Sequence, residues 1–163
     1  MRVFLTGASG YLGKVLVEHF SRVPEIESVT ATWHVVPPKR PLPKNVSFLQ
    51  MDVRSPELSS AIAGHDVVVH TALVVLWHAK MSAAERDDIN FNGTRNVAQA
   101  AVASGVQRFV YSSSTAAYDV NRGRGKSDTT EDSPLGKGDS SSYYANSKAA
   151  IERMLTEIAG KAG

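Results

Sequence analysis

Arg2-Val3-Phe4-Leu5-Thr6-Gly7-Ala8-Ser9-Gly10-Tyr11-Leu12-Gly13 opens the chain with a short apolar run that breaks into three glycines, each three residues after the last. The run from Arg2 to Thr6 has the length and the Val/Phe/Leu content of a strand. From Tyr11 to Arg22, Leu12, Val15, Leu16 and Phe20 recur at helical spacing. The glycines therefore join a strand to a helix, and each has its own task. Gly7 supplies the tight turn, Gly10 lets the backbone approach a pyrophosphate with no Cβ in the way, and Gly13 lets the helix pack close to the strand. Free N–H groups from Ser9 through Tyr11, Leu12 and Gly13 at the helix start are then donors for phosphate oxygens, aided by the helix dipole. A turn that binds nothing is the alternative, and placement between strand and helix weighs against it.

The rest of the chain continues the alternation. Ser28–Thr32, Val46–Gln50, Val67–Thr71 and Arg108–Ser112 read as further strands, each bounded by Gly, Pro, Asn or Ser. Their apolar runs are nearly continuous, the pattern of strands covered on both faces. Helical spacing recurs over Ala83–Ala103 and over Ser142–Ala159, where Gly160 is expected to end the helix. A shorter helix is expected over Pro56–Ala63, with Gly64 as its C-terminal cap. Five strands alternating with helices imply parallel pairing through right-handed crossovers. The fold is thus an α/β doubly wound parallel sheet of the Rossmann kind, in strand order 3-2-1-4-5, with residues 1–163 forming one NAD(P)-binding domain. The proline-dense Pro37–Pro43 and the polar Asn121–Ser141 fall outside this pattern as connectors at the ligand-binding ends of the strands.

Composition narrows the function. The chain has 163 residues, 42% hydrophobic and 21% charged, the balance of an ordinary folded domain. A net charge of +2, with Arg122, Arg124 and Lys126 as the nearest thing to a basic run, gives no nucleic-acid footprint. Without cysteine there are no disulfides, thiolate metal sites or cysteine nucleophiles, and the five histidines are not spaced as a metal cluster. Val67–Trp77 is far shorter than the roughly 20 apolar residues of a membrane span, and Met1–Leu5 is too short for a secretory signal core. A cytoplasmic protein acting on a small molecule is expected.

The end of the second strand refines the cofactor. An acid there would bond the ribose hydroxyls of NAD, but the position holds Trp33 and His34, and Lys39 and Arg40 follow. That arrangement leans towards NADP within an NAD(P) assignment. His34 either stacks on adenine or is a plain surface histidine. Asp52, in Met51-Asp52-Val53, either accepts from the adenine amino group or caps the helix that follows.

Tyr144-Ala145-Asn146-Ser147-Lys148 sets a phenol and an ammonium at i and i+4 on one helix face. Chance supplies such a pair in roughly one chain in four of this composition, so chemistry must carry the reading. A cation beside the phenol favours the phenolate, giving a general acid/base for interconverting an alcohol and a carbonyl. The fifth strand ends in Ser112-Ser113-Ser114, a hydroxyl source for the substrate oxygen or ordinary turn chemistry.

These motifs, in this order, resemble the extended short-chain dehydrogenase/reductase family, in its NAD-dependent epimerase/dehydratase branch. The resemblance rests on Thr6–Gly13, Asp52-Val53, Asn90-Phe91-Asn92-Gly93-Thr94, Ser112–Ser114 with Tyr118, and Tyr144-x-x-x-Lys148, and covers nearly the whole chain. It implies Tyr144 as catalytic acid/base, Lys148 as the residue that lowers its pKa and bonds the nicotinamide ribose, Ser114 as catalytic serine with Ser113 as fallback, and Asn90 as a brace. It also implies that His70-Thr71-Ala72 lies beside the cofactor, Thr71 and Ala72 touching it along with Gly7, Gly10, Gly13, His34, Asp52 and Val53. Ser114-Thr115-Ala116 lacks the acidic pair of the family's dehydratases, and Asp119 replaces the glycine usual after Tyr118. The implied activity is oxidoreduction of a secondary alcohol or ketone, lipophilic if Leu73–Trp77 lines the site as a hydroxysteroid or dihydroflavonol reductase would have it. A nucleotide-sugar epimerase and a non-catalytic nucleotide-binding domain are the alternatives. The family also implies a homodimer through the two long helices. Members run well past this length, so a fragment, or a short form whose pocket comes from a partner chain, is expected.

Overall fold

The computed structural model describes residues 1–37, 43–75, 81–119 and 129–162. The chain divides into two compact units, Met1–Ser112 and Ser113–Gly163. The first holds one parallel sheet, built from β1 (Arg2–Thr6), β2 (Ser28–Trp33), β3 (Val46–Gln50), β4 (Val67–His70) and β5 (Arg108–Tyr111) in the order β3-β2-β1-β4-β5. Register runs Phe4 against Thr30 and Val68, and Thr6 against His70, which in turn faces Tyr111. Both the topology and the strand positions agree with the sequence reading.

Alternation along β1 explains why a single apolar run serves two cores. Val3 and Leu5 point to one face, where Val29, Ala31 and Val69 meet Val17 of α1 (Tyr11–Phe20). Phe4 points to the other, where Val68 meets Leu58 and Ile62 of α2 (Leu58–Ile62) and Val97, Ala100 and Ala101 of α4 (Thr94–Ala103). Helices on both faces make the sheet doubly wound.

Helix boundaries moved where local bonding intervened. The expected Ala83–Ala103 helix is three pieces: α3 (Ala83–Asp87), a π-helical turn over Asp88–Gly93, and α4. That wider turn carries Asn90 fully inside, and brings Gly93 so close to Val53 that a Cβ there would lie 2.5 Å from a Val53 methyl. α4 turns Arg95, Gln99, Val102 and Ala103 outward, a mixed face and not an apolar one. α2 starts two residues after Pro56, and Gly64 sits just past its cap at φ +80 as expected.

In the second unit, a 3-10 turn (Thr115–Ala117) leads into a strap paired through Tyr118 and Leu135, then α5 (Tyr143–Ala162). Gly160 was expected to end α5 but lies inside it. At an exposed position a glycine lowers helix propensity by only about 1 kcal/mol, not enough to stop a twenty-residue helix. No helix among the described residues is long and apolar enough to cross a membrane.

The glycine turn makes the sharpest stability prediction. A Cβ on Gly13 would stand 2.1 Å from the Gly7 carbonyl oxygen, whereas one on Gly10 meets only that oxygen at 3.2 Å. Gly13→Ala should lose about 2–4 kcal/mol in urea denaturation, by forced separation of α1 from the turn, and Gly10→Ala under about 1 kcal/mol.

Candidate functional site

At the start of α1, Gly7 takes φ +79, and its Cα sits so close to the Thr71–Ala72 backbone that a Cβ would fall 2.7 Å from the Ala72 nitrogen. The Thr71 hydroxyl donates to the Thr6 carbonyl at 2.7 Å, closing the same corner. Gly10 is the N-cap residue of α1, and no side chain caps the helix. The first N–H groups of α1, with the N-terminal end of its dipole, are left without a side-chain acceptor. Tyr11 and Leu12 are exposed there. Gly7 and Gly13 are thus required by the protein's own packing, while a Cβ on Gly10 would meet only the Gly7 carbonyl oxygen, at 3.2 Å.

Beneath this turn lies a run of buried polar groups. His70, fully buried, lies 2.6 Å through Nδ1 from Thr6 Oγ1 and 2.9 Å through Nε2 from Thr94 Oγ1. It stacks on Tyr111 at 5.9 Å between ring centroids. Asn90 spends its amide on Val74, Oδ1 accepting from the Val74 N–H at 2.8 Å and Nδ2 donating to the Val74 carbonyl at 2.9 Å. It braces the segment after β4.

His34 and Asp52 meet at the end of β2, His34 Nε2 3.3 Å from Asp52 Oδ2. The helix-capping alternative for Asp52 fails. α2 begins at Leu58 and its N-cap residue Glu57 makes no side-chain cap bond, while Asp52 instead accepts from the Arg54 N–H at 2.9 Å and from its guanidinium, Nη2 to Oδ2, at 2.6 Å. These hydrogen bonds, above all the guanidinium's, hold the Asp52 carboxyl below its usual range. Arg54, which the sequence reading passed over, also reaches Asp88 at 3.0 Å. Val53 packs under Gly93. Lys39 and Arg40, on which the lean towards NADP partly rested, lie outside the described residues, as do Leu76 and Trp77 of the apolar stretch and Arg122, Arg124 and Lys126.

The second unit carries the hydroxyls and the ammonium. Ser142 Oγ accepts from the Ala145 N–H at 3.3 Å and starts α5. On that helix the Lys148 ammonium lies 5.7 Å from the centre of the Tyr144 ring. Lys148 is buried, only 3% exposed, and burial pulls its pKa from the ordinary 10.5 down to about 8, partly offset by the Glu152 carboxylate. The intervening residues are structural: Asn146 holds Ser140 by two bonds and Ser147 donates to the Tyr143 carbonyl. Ser114 Oγ accepts from the Ala116 N–H at 3.2 Å and keeps its own hydrogen to donate, whereas Ser113 donates to the Glu152 carboxylate. Ser113, Ser114, Thr115, Tyr118, Glu131 and Glu152 line one open cleft. Glu152 was missed in the sequence; its signal was the spacing, four residues beyond Lys148.

The profile of the NAD dependent epimerase/dehydratase family matches residues 3–163. The 3 beta-hydroxysteroid dehydrogenase type 7 of Mus musculus is 31% identical over 96% of this chain and 44% of its own length. The UDP-glucose 4-epimerase of Neisseria meningitidis is 28% identical over 96% of this chain and 48% of its own. Among solved structures, MoeE5 in complex with UDP-glucose and NAD superposes with a TM-score of 0.73 at 27% identity, covering 98% of this chain and 49% of that one. The chain spans about half the length of these relatives. It is a member of the NAD-dependent epimerase/dehydratase family, an extended short-chain dehydrogenase/reductase.

Proposed function

We propose that the protein is an NAD(P)-dependent oxidoreductase that interconverts a secondary alcohol and a ketone, with Tyr144 as the proton-transferring group. The observation that carries this is the Tyr144–Lys148 pair, in which a buried ammonium lies beside a phenol on one helix face. In a low-dielectric setting a charge acts on its neighbour far more strongly than it would in water. Tyr144 can then give its proton to a carbonyl oxygen being reduced, or take one from an alcohol being oxidised.

Ser114 has the geometry of the partner hydroxyl. With its oxygen accepting from the Ala116 N–H, its own hydrogen is left to donate to a substrate oxygen and to share the charge that develops there. The Ser113 hydroxyl is already committed to Glu152, which favours Ser114 as the reacting serine. Asn90, with both amide atoms on Val74, acts by holding backbone.

The cofactor, when bound, supplies the hydride acceptor or donor. To hold it we assign the uncapped start of α1 to the pyrophosphate, with Gly10 at the closest approach, and Asp52 and His34 to the adenosine end. β2 itself ends in Trp33 and His34 with no acidic residue, and the His34 imidazole there supports NADP as well as NAD.

For the substrate, likeness to a hydroxysteroid dehydrogenase and the half-buried Leu73 and Val74 support a lipophilic alcohol. A nucleotide-sugar epimerase is the second reading, favoured by the likeness to MoeE5, whose structure holds UDP-glucose and NAD.

Titration with NADH and NADPH should give saturable binding at sub-millimolar concentration, and Gly10→Val should abolish it while the protein stays folded. Binding unchanged by that substitution would remove the phosphates from the turn. Tyr144→Phe should lower kcat on a ketone substrate by about a hundredfold or more, with cofactor affinity kept. Turnover within a few-fold of the parent would exclude Tyr144 as the proton donor. Lys148 gives a prediction in pH. Its folded pKa, about 8, lies below the ordinary 10.5, so its burial penalty is fully present below about pH 8 and is lost as pH rises towards 10.5. Lys148→Met should therefore be more stable than the parent at pH 7, by on the order of 2 kcal/mol, and the difference should shrink above pH 8. Equal stabilities at pH 7 would mean that the ammonium is not desolvated.

A further inference from the structure

Tyr144, Lys148 and Glu152 follow one another at intervals of four on α5, so that Glu152 lies one turn past the ammonium. Its carboxylate accepts the hydrogen of Ser113 and lines the same cleft as Ser114. We infer that Glu152 is a positioning residue: it serves as counter-charge to the Lys148 ammonium while its Ser113 bond fixes the chain beside Ser114.

Three observations converge on this. A buried lysine sheds its proton readily, and a neutral amine would no longer set a positive charge beside Tyr144; an anion one turn away opposes that loss. Glu152 also accepts the Ser113 hydrogen, and a charge-assisted hydrogen bond of that kind fixes the carboxylate's rotamer. Finally, Ser113 and Ser114 are adjacent in the chain. Their hydroxyls have separate jobs, one turned to Glu152 and one capping the 3-10 turn, so a single carboxylate links the ammonium's charge to the serine's placement. The other titratable groups of the cleft are Glu131, which is exposed, and Tyr118; neither belongs to α5, and the charge opposing the loss of the Lys148 proton is that of Glu152.

This inference rests on the roles proposed above for Tyr144 and Lys148, but its test requires neither cofactor nor substrate. The chain is labelled with 13C at lysine Cε, the Lys148 signal is identified by its loss in Lys148→Met, and its midpoint is followed from pH 6 to 11. In folded Glu152→Gln the deprotonation constant of Lys148 should rise about tenfold, a midpoint lower by about one pH unit. An unmoved midpoint in a variant with the parent's melting temperature overturns the inference. If Glu152→Gln does not fold, Ser113→Ala replaces it. Its midpoint should fall by a smaller but measurable amount, and Ser113→Thr, which keeps the donor, should restore it. A Ser113→Ala midpoint equal to the parent's overturns the inference by that route. Failure of the oxidoreductase reading would appear as absent turnover or cofactor binding with the midpoint shift intact, so the two are told apart.

Discussion

The contact between Gly13 and the Gly7 carbonyl sets the rest of the first unit. Leaving β1 and entering α1 within four residues brings helix and turn to a separation that no side chain at residue 13 could share. The same corner demands the positive φ of Gly7, which in turn admits the Thr71–Ala72 backbone alongside. Thr71 then bonds the Thr6 carbonyl, and Thr6 meets His70, which meets Thr94. A close approach fixed by missing Cβ atoms thus propagates through hydrogen bonds to β4 and α4. Burying His70, Thr6 and Thr94 is costly unless every polar atom is matched, and both ring nitrogens lie within hydrogen-bond distance of a threonine hydroxyl. Such networks fix geometry more than they add stability. Their position at the C-terminal ends of the strands, where α/β sheets bind ligands, is consistent with that use.

How far this was legible in the sequence depends on whether the signal was local. The central strands β1 and β4 were readable because Val, Phe and Leu run almost continuously through them, and a strand buried on both faces has no polar alternation to hide it. The glycines were readable since their spacing matters only in the strand-to-helix context that the flanking residues supply. The π-helical turn at Asp88–Gly93 left no local mark; it depends on Asn90 finding Val74 and Gly93 finding Val53, partners met only in three dimensions. The two roles left open for Asp52 could not be separated for a similar reason, because nothing in Met51-Asp52-Val53 announces that Arg54 will fold back on it. Gly160 erred in the opposite sense, a local stop signal overridden by the nineteen other residues of the helix.

The second unit shows what the helix contributes to chemistry. Four residues of α-helix turn through about 400°, so each step from Tyr144 to Lys148 to Glu152 drifts about 40° around the axis. The phenol and the carboxylate therefore stand about 80° apart, with the ammonium between them. A strict repeat would stack all three groups on one line and leave the carboxylate no separate direction in which to find a hydroxyl. The drift lets Glu152 face Ser113 while still one turn from Lys148. Rigidity keeps the arrangement useful: the Ser142 cap starts the helix, Asn146 ties it to Ser140, and Arg153 donates to the Gly136 carbonyl at 2.7 Å. With strap and helix bonded at these points, Lys148 cannot swing out to water to recover its solvation without moving the backbone that carries it. The burial that weakens its hold on a proton is thus imposed by the helix, and a charge on that same helix is the economical way to oppose it.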